Sequence, residues 1–174
     1  ISSLYKKKTN NIKILEFGCG WGFWSKFMKS KLFNITTCEF SIKRHDHLIK
    51  NKISNYRNLN EIKGRFDFIY SEEVLEHISS PLETLMQLKS LLSKDGFMLH
   101  RFPSTFLFKE KLIYNYKPKK DCGHPLEHIN LINKKSFLKL CKKINLNIYN
   151  PLRIQNQKLK SKIKMLKNSF IFNS

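Results

Sequence analysis

The stretch ILEFGCGWGFWS, residues 14–25, decides how this chain is read. Gly18, Gly20 and Gly22 alternate through it, an apolar run enters it, an aromatic run leaves it, and Glu16 stands two positions before the first glycine. The apolar residues 12–17 have the length and bounds of a buried strand. After Gly22, the residues Phe23, Trp24, Phe27, Met28 and Leu32 recur at helical spacing with lysines between them, so a helix is expected there. A strand that bends through alternating glycines into a helix lets backbone approach a ligand where a Cβ would stand in the way. The helix start adds unpaired N–H groups suited to an anion.

Outward from the bend the same alternation continues. FNITTCE (33–39) reads as a second strand, and Ser41 is placed to cap a helix running to about Asn51. FDFIYS (66–71) is another buried-strand run. PLETLMQLKSLLSK, from Pro81, predicts a helix that stops before a turn at Asp95–Gly96, and FMLHRF (97–102) a further strand. Strand and helix in strict alternation predict an α/β fold, a Rossmann-like, doubly wound and mostly parallel sheet, with the last strand or strands open to an antiparallel direction. Residues 104–133, with Pro118 and Pro125 and little periodicity, read as a long loop or lid. NKKSFLKLCKKI then predicts a helix and NLNIYN a strand. In the tail, LKSKIKMLKNSF places Leu159, Ile163, Leu166 and Phe170 on one helical face. We read it as a last helix packing on the sheet, in preference to a basic amphipathic helix for a membrane or nucleic acid.

At 174 residues and 41% apolar, the chain suits one domain with a real core. Within it we expect a cofactor-binding core over 12–103, a lid or substrate loop over 104–133, and a C-terminal helix, strand and basic tail over 134–174. The first residue is Ile1, so an upstream segment is expected to be missing. No run approaches the roughly 18 apolar residues of a membrane span. No secretory signal is evident, and Cys19, Cys38, Cys122 and Cys141 lie far apart without CxxC spacing, so reduced thiols in a cytoplasmic protein are expected. The net charge of +20 suggests nucleic acid. Alanine is absent, however, Val74 is the one valine, and lysine greatly outnumbers arginine, a pattern that suits A+T-rich codons. A phosphate-binding surface would draw more on arginine, whose fork is bidentate to phosphate. Nucleic acid is therefore not the favoured partner.

The ligand follows from two carboxylates. Glu39 ends the second strand about 20 residues beyond the bend, where a carboxylate accepts from both ribose hydroxyls of an adenosine. The dinucleotide pattern G-x-G-x-x-G wants glycine at position 23, where Phe23 stands; the pattern here is E-x-G-x-G-x-G. Glu16 is unwelcome beside a pyrophosphate and useful beside an ammonium. Adenosine, carboxylate and ammonium together describe S-adenosylmethionine.

ILEFGCGWG accordingly resembles the first motif of class I S-adenosylmethionine-dependent methyltransferases. TCEFS (37–41) resembles their acidic second-strand end and FDFIYSEEVLEHISSP (66–81) their fourth-strand motif. LLSKDGFMLHRFPS (91–104) resembles their turn and fifth strand. HPLEHINLINKKSFLKLC (124–141) is similar to the segment after the fifth strand in a small-molecule branch. The resemblance implies that Glu16, Gly18, Cys19 and Gly20 surround the methionine end of the cofactor. It places Glu39 on the ribose hydroxyls, Phe40 against the adenine, and Ser71 and Glu72 at the reacting end. The usual acidic adenine contact has no clear match; either Asn58 or Asn60 stands in, or the third strand is degenerate.

A hydroxyl acceptor also needs its proton removed, and a placed base contributes about 10²–10⁴-fold. The candidates are His77, which follows the fourth strand, and His128 in the lid segment, with Glu127 beside it to orient the imidazole. His100 is a weaker one. No metal site is expected, because Cys122, His124 and His128 on one loop lack a defined fourth ligand. Where methyltransferases of base or glutamine nitrogens carry an Asn/Asp-Pro-Pro-aromatic run, this chain reads SEEV (71–74), and a Pro-Cys nucleophile motif is absent. The expected acceptor is a small molecule, through a hydroxyl or saccharide-type oxygen. The alternatives are an RNA methyltransferase and a non-catalytic methyltransferase-like binding domain.

Overall fold

The computed structural model describes residues 8–105, 108–114, 116–117, 122–124, 127–149 and 169–171. Among the described residues seven strands form one sheet, in the order β3-β2-β1-β4-β5-β7-β6. They are β1 (Lys13–Phe17), β2 (Asn34–Cys38), β3 (Asn55–Tyr56), β4 (Phe66–Glu72), β5 (Leu92–Arg101), β6 (Asn147–Tyr149) and β7 (Ser169–Ile171). The helices α1 (Phe23–Ser30), α2 (Ile42–Lys50), α3 (Pro81–Ser90), α4 (Phe108–Ile113) and α5 (Lys134–Lys143) fall between strands.

Apolar residues run continuously through the central strands because both faces of the sheet are covered. Alternation sends Ile14, Phe68, Tyr70 and Phe97 to the face packed with Met28 and Trp24 of α1. It sends Leu15, Phe17, Ile69 and Met98 to the other face, with Leu85 and Leu88 of α3 and Phe137 and Cys141 of α5. The same alternation puts His100 among Phe102 and Phe137, where burial pushes its imidazole down to about 3 and keeps it neutral. His100 is thus a core histidine of the α5 face.

Caps fix where the helices begin. The Ser41 hydroxyl accepts from the Arg44 amide at the start of α2. At the start of α5, Asn133 and Ser136 exchange bonds as a capping box, each at about the 1 kcal/mol typical of such caps.

Some details differ from the expectations. The helix from Pro81 ends at Ser90, and Asp95–Gly96 lies inside β5. Opposite Phe66 and Phe68 stand Leu92 and Phe97, so the predicted turn is absorbed as a bulge within the strand pair. The Phe66 amide donates to the Leu91 carbonyl at 2.8 Å, which starts the pairing one residue after the helix. The segment 104–133 holds a short helix, α4. The tail helix predicted over 159–170 lies outside the described residues up to 168, while Phe170 belongs to strand β7. That strand fills the gap between β5 and β6 and pairs parallel to both, in place of the antiparallel direction left open.

Candidate active site

The carboxyl ends of β1, β2 and β4 meet at the glycine bend, where an open α/β sheet receives ligands. Two of the glycines serve different ends. Gly18 has φ +73°, and a Cβ there would stand 2.2 Å from Cγ2 of Val74, so this glycine lets the loop after β4 press against the bend. Gly20 has φ +56°, and a Cβ there would meet nothing within 4 Å. Its left-handed backbone faces open space, the form of a cradle that a ligand can approach.

The bend is held from both sides by Glu39. Its Oε2 accepts from the Gly20 amide at 2.9 Å and its Oε1 from the Ser41 amide at 3.0 Å, and the Arg44 guanidinium lies 3.8 Å from Oε1. Glu39 is 5% exposed. A carboxylate offers about four acceptor positions, so two accepted amides leave capacity for two hydroxyl donors. Asn55 of β3 steadies the same corner, donating to the Glu39 carbonyl at 3.4 Å.

Glu16, 6% exposed, accepts from the Ser25 hydroxyl in the first turn of α1. Burial pushes its carboxyl up to about 7; the Ser25 bond opposes the shift, and the charges of Glu72 and Glu39 add to it. Glu39 and Glu72 are thus near enough for their charges to act on Glu16, in a chain whose net charge is +20. Cys19 is buried, with its thiol pushed up to about 12 by desolvation, so it lines the bend as an inert neutral group.

Phe40 is 43% exposed and meets Phe17 edge-on at 5.6 Å, leaving part of its ring open beside Glu39. Ser71 is buried at the end of β4. The next residue, Glu72, accepts from the Tyr70 hydroxyl and pairs with Arg101 of β5. The third strand is indeed degenerate, two residues long. Asn58 caps the turn that follows by accepting from the Asn60 amide, and Asn60 accepts from Gln87, so both side chains are engaged within the protein.

After β4 the chain makes a 3₁₀ turn, Leu75–His77, and the segment 127–130 is tied to it. The Glu76 carbonyl accepts from the amides of Ile129 and Asn130 at 2.9 and 3.0 Å. The Asn130 side chain donates to the Leu75 and Ile78 carbonyls. This brings His77 and His128 together, ring centroids 4.8 Å apart. Glu127 does orient an imidazole, but through its carbonyl, which lies 2.6 Å from His77 Nδ1, and not through a carboxylate on His128. The Glu76 carboxyl, raised by burial, sits beside both histidines.

Sequence reasoning did not single out Ser25, Asn130 or Val74. Ser25 carries no periodic signal, since its role depends on α1 folding back over Glu16. Asn130 lies within the quoted PLEHIN segment, but its bonds to residues more than 50 positions away follow from topology alone. Cys122, His124 and His128 do not form a ligand cluster among the described residues.

Residues 1–150 match the family described as Methyltransferase domain. The chain is 29% identical over 102 residues to a ubiquinone biosynthesis O-methyltransferase of Pelagibacter ubique, covering 53% of this chain and 42% of that one. It thus spans less than half the length of the curated relatives it matches. Among solved structures, the plantazolicin methyltransferase BpumL in complex with a triazolic desmethylPZN analog and SAH superposes with TM-score 0.64 at 18% identity, over 83% of this chain and 58% of that one. The magnesium protoporphyrin IX methyltransferase of Synechocystis PCC 6803, with bound SAH, gives 0.59 at 16% identity, over 79% and 65%. These likenesses show the fold. No helix among the described residues is long and apolar enough to cross a membrane.

Proposed function

The chain belongs to the methyltransferase-domain family, and on that premise we propose that it moves a methyl group from S-adenosylmethionine to an oxygen of a small hydroxylated acceptor. The observation that carries this reading is the open Gly20 bend, its amide held by the buried Glu39, with the buried Glu16 at the end of the strand that enters it, in an otherwise strongly basic chain. Such a place suits a ligand that brings positive charge and hydroxyl donors together. The same residues fit the cofactor one by one. Glu39 keeps acceptor capacity for ribose hydroxyls, Gly20 leaves room for main-chain approach, Cys19 and Gly18 shape the wall, and Glu16 answers an ammonium. Phe40 offers a ring edge for the adenine, and Ser71 and Glu72 border the reacting end.

When bound, the cofactor supplies an activated methyl on a sulfonium. The chain's own work is to hold the acceptor in line with it, which in the best intramolecular comparisons amounts to about 7–11 kcal/mol. His77 and His128 flank the acceptor side. The His77 Nδ1–H donated to the Glu127 carbonyl leaves Nε2 with a lone pair for the acceptor's proton. The relatives named for ubiquinone biosynthesis are O-methyltransferases, which supports an oxygen acceptor.

The test is transfer of labelled methyl from S-adenosylmethionine to a panel of hydroxylated small molecules and, in parallel, to total RNA. Label in the small molecules, lost in His77→Ala, supports the reading. Label confined to RNA supports the nucleic-acid alternative, and a chain that binds cofactor yet labels neither panel is a binding domain.

A further inference from the structure

Beyond the glycine bend, the turn after β4 carries a donor set that shares His77 and His128 with the proposed acceptor side and adds the buried Glu76 carboxyl. Glu76, His77 and His128 each turn a ligating atom into one place, and these atoms lie within 4.8 Å of one another. Two imidazole nitrogens and a carboxylate oxygen are the donors of many first-row transition-ion sites. An independent observation points the same way. Glu76 is 2% exposed, and neither of its carboxylate oxygens has a hydrogen-bond donor. Burying a carboxyl without a partner costs several kcal/mol at the order-of-magnitude level, and native chains seldom carry that cost without a use. Nδ1 of His128 is likewise buried without a partner.

We propose that Glu76, His77 and His128 bind a divalent first-row transition ion. The supporting frame is of the kind such sites use. The His77 ring is fixed by the Glu127 carbonyl, the bond that sets tautomer and orientation in histidine ligands. His128 is carried by a segment clamped to the Glu76 carbonyl through Ile129 and Asn130. Ligand atoms around a tetrahedral ion lie roughly 3.3 Å apart at ordinary bond lengths, so closing from 4.8 Å asks only small torsions of the partly exposed imidazoles. Three protein ligands leave a position open, and His77 is exposed, so the site faces solvent on the side where an oxygen ligand enters. Val74, one residue before this turn, packs against Gly18, so the ion would sit next to the bend. This site stands on its own donors and does not depend on cofactor binding.

The experiment uses the full chain, stripped of metal and titrated with CoCl2 while the visible d–d absorption is followed, then with ZnCl2 as competitor and MgCl2 as the oxygen-preferring control. We expect one Co2+ per chain, displaced by Zn2+ and not by Mg2+. Affinity should fall in Glu76→Gln and in His128→Ala by at least the roughly 10–100-fold that losing even a supporting partner costs, while His47→Ala on α2 keeps the site. Thermal melts accompany each variant. His128 lies on a loop outside the core, so its substitution decides the matter if Glu76→Gln does not fold. No stoichiometric uptake by the wild-type chain, or uptake unchanged in folded Glu76→Gln or His128→Ala, overturns the proposal. Cofactor binding measured on the same samples reports the methyl-transfer reading separately.

Discussion

Glu39 and Glu76 are both buried carboxyls, one on each side of the glycine bend, and their surroundings differ. Glu39 gives its oxygens to the amides of Gly20 and Ser41 and sits near the Arg44 guanidinium. Glu76 has no donor on either oxygen, and burial raises its pKa. In the first case the fold itself meets the cost of removing a carboxylate from water. In the second the cost is met by a proton or by something the chain has yet to bind. The Glu39 corner is therefore held by the fold with acceptor capacity to spare, and the Glu76 corner is a set of groups held ready.

The largest effect that sharpens this contrast is expected for Glu39→Ala. It strands two main-chain amides whose bonds to a charged acceptor amount to about 1.5–3 kcal/mol each, so urea unfolding should show a loss of about 3 kcal/mol or more. Next come the two glycines. Gly18→Ala combines a left-handed backbone, about 1–2 kcal/mol, with overpacking against Val74, about 1–3 kcal/mol. Gly20→Ala bears only the backbone part. Adding Val74→Ala should restore the overpacking share in the Gly18 variant and nothing in the Gly20 variant, as read from paired melts. Gly20→Ala should instead lose ligand affinity out of proportion to its stability.

A smaller effect is a pH dependence at Glu16. Its carboxyl titrates near 7 in the fold against 4.5 outside it, so the folded state holds a proton that the unfolded chain releases. Stability from this group is present below pH 4.5 and lost as pH rises through about 7. Glu16→Gln should be flat across that window. Affinity for an ammonium-bearing ligand should run the other way in the wild type, rising with pH through about 7 as the carboxylate forms. The smallest effect belongs to the other corner. In metal-free buffer Glu76→Met should melt at or slightly above the wild type, because an unpaired buried carboxyl is exchanged for an apolar group of similar size. A large loss there would erase the contrast with Glu39.

Much of this was legible in the chain. The glycines, Glu16 and Glu39 announced the bend, and the apolar runs announced β1, β4 and β5, because both depend on local spacing. What depended on distant partners was not. Asp95–Gly96 reads as a turn in isolation and becomes a bulge only because β4 pairs on either side of it. Phe170 fits a helical face as well as a strand, and only the gap between β5 and β6 decides for the strand. The Glu76–His77–His128 cluster joins residues about 50 positions apart through bonds from Ile129 and Asn130, whereas spacing alone brought together Cys122, His124 and His128 of one loop, a set rejected for want of a fourth ligand.

The most direct measurement is calorimetric titration of the chain with S-adenosylmethionine and with its demethylated product, alongside Glu39→Ala. The account predicts saturable binding of both at one site per chain, abolished or weakened by about two orders of magnitude in the variant, given two charge-assisted contacts at about 1.5 kcal/mol or more each. A folded wild-type chain that takes up neither, or a folded Glu39→Ala that binds as well as the wild type, would contradict it.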